Sequence, residues 1–342
     1  MKIDITIDKR TELLGVLLLI SDYNKSFPNL LEVCNNEEYR NKIFNNFNKF
    51  KKEKAVVLLN EIIENLNFSY DAPVSLFLQL NEDFTFEKLN EYPFYSRLEK
   101  DDLVIKFLKE LPKFAKKINF DEFYTSNLPL YNKIIAEVKD KTHIHDVISF
   151  INKFYNANLH DKEFVINLLP YTTKGNFSTF HNNKIYSNLG VKPSTNNKMR
   201  FVSNKDCGGL ILHEFCHYIV NPLTDKYSKI KKSYFKDVWK EMDKQAYGHA
   251  PTIINEHVLR AVDKIYLNNY INTKQSKKYA KDEMEYEINK CSFIYLPDLV
   301  KDLKDYYINL DKYKNFEEFY PTLLKNFEQH INKHKQTLTN KN

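Results

Sequence analysis

Apolar positions recur at helical spacing through most of the first 150 residues. Leu13, Leu14, Val16, Leu17 and Ile20 follow that period, as do Val56, Leu59, Ile62, Ile63 and Leu66. The same reading predicts helices over 72–80, 101–117, 127–138 and 139–157, with Pro73, Pro93, Pro112 and Pro129 as punctuation. The pattern changes at 163–169, EFVINLL, a short apolar run closed by Pro170 that reads as a strand. The segments 184–191 (KIYSNLGV) and 199–203 (MRFVS) predict two more strands. A helix is expected from about 205 to 220, stopped by Asn221-Pro222 because proline cannot continue the backbone ladder. Further helices are expected over 236–246, 251–271, 281–308 and 315–335, with a frayed tail after His334. No repeat or low-complexity linker divides the chain. The expected organisation is an N-terminal helical region, 1–150, followed by a catalytic region, 151–342, which could equally form one continuous domain.

Composition narrows the class. Hydrophobic residues make up 42% of the 342 residues, and there are 6 Gly and 11 Pro, which excludes a disordered or collagen-like chain. The formal charge is +6, yet only Arg10, Arg40, Arg97, Arg200 and Arg260 supply guanidinium groups among 51 Lys+Arg. A surplus carried by scattered lysines argues against a nucleic-acid partner, because base and phosphate recognition leans on Arg forks. The enrichment in Tyr and Phe is read as compositional bias, without a functional role. Cys34, Cys207, Cys216 and Cys291 show no CxxC spacing, so reduced thiols are expected. The apolar run 13–20 follows Asp4, Asp8 and Glu12 and reads as a buried helix face, not a signal peptide. No run reaches the roughly 18 apolar residues of a bilayer span. A cytoplasmic protein without membrane attachment is expected.

The chemistry lies in 210–220, LILHEFCHYIV, which contains HExxH. On a helix His213 and His217 stand one above the other and can reach one metal ion. Glu214 lies about 100° around the helix, beside the open coordination position, where it can take a proton from an attacking water. Leu212, Phe215, Cys216, Tyr218 and Ile219 are uncharged, as a buried metal helix requires; the competing reading is a helix with two exposed histidines. Catalytic zinc takes three protein ligands and keeps one open position. Val220 and Leu223 stand where the metzincin extension needs Gly and His, which excludes that subclass. A gluzincin takes a Glu from a downstream helix, and 253–261, IINEHVLRA, offers Glu256 as first choice and His257 as second. Arg260, one turn on, reads as the partner that orients Glu256. Tyr247 and His249 are candidates for the donor that stabilises the oxyanion.

HEFCHYIVNP (213–222) and NEHVLRA (255–261) resemble motifs of the domain-of-unknown-function 4932 family, bacterial proteins regarded as zincin-type metallopeptidases. DKRTELLGVLLLIS (8–21) and YDAPVSL (70–76) resemble its opening helices, so the resemblance runs from residue 8 to about 325. It implies a zincin fold, His213, His217 and Glu256 as Zn2+ ligands, and Glu214 as general base. It implies no particular substrate. Cys216 holds a position where that pattern often has Ser and is read as packing.

Two lesser features were weighed. HIHD (143–146) reads as a surface cluster, and Asn176-Phe177, after Gly175, could rim the cleft. The expectation is an α+β, mainly α-helical chain. Its zincin-like core has a small mixed or antiparallel sheet packed on the HExxH helix, flanked by N- and C-terminal helices. The expected activity is that of a zinc metallopeptidase acting on a peptide or protein. The alternative is a zincin-like binding module that holds zinc without turnover.

Overall fold

The computed structural model describes residues 2–28, 37–66, 68–87, 102–172, 175–192, 198–203, 205 and 207–339. Pro93 and Cys34 lie outside the described residues. The chain is mainly helical with one small mixed sheet, an α+β composition. It divides into two compact units, Met1–Asp140 with Asp161–Val202, and Lys141–His160 with Ser203–Asn342.

The first unit holds β1 (Lys2–Thr6), α1 (Lys9–Ile20), α2 (Tyr23–Ser26), α3 (Glu37–Phe47), α4 (Lys54–Leu66), α5 (Ala72–Phe77), α6 (Asp102–Lys117) and α7 (Phe120–Lys141, its last residue opening the second unit). Asp8 starts α1 by accepting from the Arg10 amide at 2.8 Å. Helix α1 is buried almost all round, and Gly15 is required there, since a Cβ would stand 2.2 Å from the Tyr171 carbonyl oxygen. Pro112 and Pro129, expected as breaks, stand inside α6 and α7. Each removes one backbone bond, but the buried stripes Phe107, Leu108, Leu111, Phe114 and Phe123, Tyr131, Ile134, Val138 hold the helices through them.

The sheet adds β2 (Glu163–Leu169), β3 (Asn176–His181) and β4 (Lys184–Gly190) in the order β1-β2-β4-β3. β1 pairs parallel with β2, Lys2 opposite Glu163; β2 pairs parallel with β4, Glu163 opposite Lys184. The central strands β2 and β4 are buried along nearly their whole length, as parallel interior strands are. A row of buried amides crosses the sheet: Asn167 donates to Asn188 at 2.9 Å, and Asn188 to Thr179 at 2.9 Å. β3, antiparallel to β4, contains Asn176 and Phe177, which are therefore strand residues. The strand expected at 199–203 is not formed; Arg200 makes one isolated bridge to Lys192.

The second unit contains α8 (Ile144–Tyr155), α9 (Gly209–Tyr227), α10 (Trp239–Asp243), α11 (Ala250–Ile265), α12 (Lys274–Cys291), α13 (Leu296–Ile308) and α14 (Phe316–Thr339). α11 packs against both α9 and α13. Two expected helices differ. The helix expected over 139–157 is divided, with 139–141 closing α7 and α8 beginning at Ile144, and that over 281–308 is split at Ser292, whose φ is 63°. Asn221-Pro222 does not end α9, which runs nearly two further turns to Tyr227. That extension is held by Thr224, which donates to Asn255 and meets the Tyr320 hydroxyl. Helix α14 continues past His334 to Thr339, and the residues beyond it are not described. Cys207 and Cys216 are buried thiols, and Cys291 is half-buried. Among the described residues no helix is long and apolar enough to cross a membrane.

One buried group in the first unit sets a pH dependence. Glu12 accepts hydrogen bonds from Tyr39 and, at 2.7 Å, from Tyr131. Burial pushes its carboxyl up from 4.5 to about 7, against the two phenol bonds. The native state therefore favours the protonated form. Its contribution is complete below pH 4.5 and is lost as pH rises through 7, by about 3 kcal/mol. Thermal melts of wild type and Glu12→Gln across that window should show the difference moving in favour of Gln as pH rises. A constant difference would contradict the assignment.

Candidate metal centre

Helices α9 and α11 run antiparallel and are cross-linked by polar groups at successive levels. Cys207 (φ 50°) and Gly208 (φ 87°) turn the backbone left-handed just before α9. A Cβ at Gly208 would lie 2.9 Å from Val147, so glycine serves both the turn and the close approach. The Tyr266 hydroxyl, directly after α11, donates to the Cys207 carbonyl at 2.8 Å and ties the end of one helix to the start of the other. One turn in, His213 Nδ1 donates to Asp263 Oδ2 at 2.9 Å. Next come the two imidazoles and Glu256, and last the Thr224–Asn255 bond.

His213 Nε2 lies 3.6 Å from Glu256 Oε2, and His217 Nε2 lies 3.5 Å from Glu256 Oε1. One ligand atom from each of the three residues falls within 4.8 Å of the others, the only such group among the described residues. Tetrahedral coordination at 2.0–2.2 Å puts donor atoms about 3.4 Å apart, and each imidazole stands near that distance from one or the other oxygen of Glu256. Both rings are fixed from behind. Asp263 accepts the hydrogen bond from His213 Nδ1, and Asn221 Oδ1 faces His217 Nδ1 at 3.0 Å, which turns both Nε2 atoms toward Glu256. A metal ion could be held by this buried His–His–Glu group.

The electrostatics follow from burial among opposed charges. Burial works against an imidazolium at His213, but Asp263 and then Glu256 outweigh it and raise the ring to about 10. At His217 burial prevails and lowers the ring to about 4. Burial alone would raise Glu256, yet Arg260 and then His213 hold it well below the usual carboxylate range. Glu214 is buried beside the cluster, and desolvation pushes its carboxyl up to about 8.

Around Glu256 the partners converge. Arg260 Nη1 sits 3.1 Å from Glu256 Oε2, and Arg260 Nη2 donates to the Tyr247 hydroxyl at 3.2 Å. The guanidinium carbon stands 4.3 Å from the centre of the Phe293 ring. Sequence reasoning missed Asp263 and the role of Asn221. Asp263 lies seven residues after Glu256, two turns along the same helix face, so its position could have been read from the helical period. Asn221, beside Pro222, reads from the sequence as a helix stop, which hides its contact with His217.

Not every candidate reaches the cluster. His257, one residue beyond Glu256, points a different way around α11: its Nδ1 donates to the Ile253 carbonyl at 2.8 Å, and its ring lies among Phe293, Tyr295 and Phe327. Glu256, not His257, shares the site with the two histidines. His249 is exposed at the N-cap of α11, outside the three-residue group. His143 and Asp146 pair on the surface at 3.2 Å, and Cys216 is buried in α9 with its thiol pushed up by desolvation.

The fold and this site define an α+β, mainly helical protein with a buried ligand triad shared by two antiparallel helices. The chain belongs to the family described as Domain of unknown function (DUF4932), whose model matches residues 3–326. No curated protein and no solved structure matches it.

The geometry separates Glu256 from His257 by experiment. Added Zn2+ should raise the melting temperature of wild type and of His257→Phe, because a ligand that binds only the folded state stabilises it. Glu256→Ala should show no such rise. The reverse pattern would move the third ligand to His257.

Proposed function

We propose that this protein is a zinc-dependent metallohydrolase of the gluzincin type, acting as a peptidase. The observation that carries the reading is the convergence of His213 Nε2, His217 Nε2 and Glu256 within 4.8 Å, beside the buried Glu214. Two imidazoles and one carboxylate form a donor set that suits zinc and leaves a fourth position open. When bound, zinc lowers the pKa of a coordinated water and polarises a substrate carbonyl.

The chain's own residues supply the rest. Glu214 is the proton carrier: it takes the proton of the attacking water and returns it to the leaving amine. Burial raises its carboxyl to about 8 in the metal-free chain, and a divalent cation beside it would lower that toward the ionised form a base needs. Asp263 and Asn221 keep both imidazoles in the tautomer that presents Nε2. Tyr247 accepts from Arg260 through its hydroxyl and also donates to Glu256; turned from that carboxylate, its phenol could donate to a developing oxyanion. Burial raises its phenol, which keeps it protonated. His249, exposed at its cap, has no part in this reading.

Metal analysis of purified protein should give one zinc per chain, restored after chelation by added Zn2+. Glu214→Gln should keep that zinc while its cleavage of a diverse peptide library falls about 100- to 10,000-fold. Tyr247→Phe should also keep zinc and lose about 100-fold in kcat. Wild-type protein that holds zinc and cleaves no peptide would favour a binding module without turnover. Protein that takes up no zinc would overturn the proposal.

A further inference from the structure

The mechanism above leaves unused a buried carboxylate that lies against α11. Glu287, on α12, is buried beside α11 with Oε1 3.6 Å from Arg260 Nε and Oε2 2.8 Å from Lys264 Nζ. Arg260 and Lys264 stand one turn apart on α11, and Glu256 stands one turn before Arg260, so three charged side chains follow one helix face. Buried like charges at this spacing repel, and each needs a counter-charge to remain ionised. Glu287 is placed between the two cations and meets both.

We propose that Glu287 is a positioning residue for the metal ligand Glu256, acting through Arg260. The inference rests on the zinc reading above. Arg260 has two carboxylates to satisfy it, Glu256 at 3.1 Å and Glu287 at 3.6 Å. With its charge shared, the guanidinium holds one edge of Glu256 while both carboxylate oxygens still face the imidazoles. Without the Glu287 charge, Glu256 becomes the main counter-ion of Arg260. A carboxylate drawn into a guanidinium fork is a poorer metal ligand, because the same lone pairs serve both cations. Phe293, stacked on the guanidinium, limits any other movement of Arg260.

Chelator-competition titration of Zn2+ against the full chain, with thermal melts in parallel, tests this. Glu287→Gln should weaken zinc binding about 10- to 100-fold, the usual cost of losing a partner behind the ligands. It should also lower the melting temperature, because Lys264 loses its close partner. The Lys264→Met/Glu287→Gln double variant removes that stranded cation. It should recover the melting temperature and keep the weakened zinc affinity, since Arg260 is still uncompensated. A double variant that recovers both would overturn the proposal, because Glu287 would then serve only Lys264. So would a Glu287→Gln protein that melts lower yet binds zinc within about twofold of wild type. A wild-type chain that takes up no divalent metal would remove the zinc reading and this inference together, a result distinct from the other two.

Discussion

The second unit is organised around one carboxylate. Glu256 faces His213 and His217 on one side and Arg260 on the other, and it is buried. An ionised carboxylate costs several kcal/mol to remove from water unless its oxygens find partners. Every partner here therefore has to be present at once. The imidazoles come from α9, the guanidinium from α11 itself, and the group that meets the guanidinium's far edge from α12. The packing of α9 on α11 is thus constrained by charge as well as by shape.

The same network has a charge balance that supports a cation. Glu214, Glu256, Asp263 and Glu287 bring four carboxyl groups, whereas Arg260 and Lys264 bring two basic side chains. In the metal-free network the remainder is met by protons. Burial holds one on Glu214, at about 8, and Asp263 with Glu256 hold another on His213, at about 10. Two protons on groups that converge on the ligand site occupy the place in the balance of one divalent ion. Metal binding to histidine ligands releases protons for this reason. His217, held neutral at about 4, is already in the form a metal requires.

Much of this site was legible in the sequence, and what was missed has identifiable causes. HExxH predicts a shared metal face because four residues make nearly one helical turn, and the structure places His213 and His217 so. Glu256 was separable from its neighbour His257 only through α11's packing: the aromatic pocket of Phe293, Tyr295 and Phe327 fixes which side of the helix is which. Asn221 was read through the proline that follows it, yet local breaking propensity lost to the tertiary bonds of Thr224. Glu287 carries no signal in the chain order, because its partners are 23 and 27 residues away on another helix. In the first unit, β2 announces itself by the apolar run in EFVINLL, and β4 by Ile185, Tyr186 and Leu189 in KIYSNLG. β3 does not, since NFSTFH is an edge strand and only half-buried. The segment MRFVS has strand composition but pairs at a single bridge.

The two metal helices are registered by more than their ligands. Tyr266 to Cys207, Asp263 to His213, Glu256 to both imidazoles and Asn255 to Thr224 form an ordered series along the antiparallel pair. A slide of one helix by one turn would break all of these bonds together, leaving buried polar groups unpaired at every level. Such a series makes the pair bistable at best and not gradually deformable, which is what a ligand set needs in order to keep its separations without the ion. The left-handed Cys207–Gly208 turn and the π-helical turn at Tyr266–Ile271 sit together at one end of the series. Both are conformations that a chain adopts only when its surroundings enforce them. Their joint effect is to fix where α9 begins relative to where α11 ends, and so to set the level at which His213 meets Asp263. The geometry of the His–His–Glu group is then a consequence of helix register.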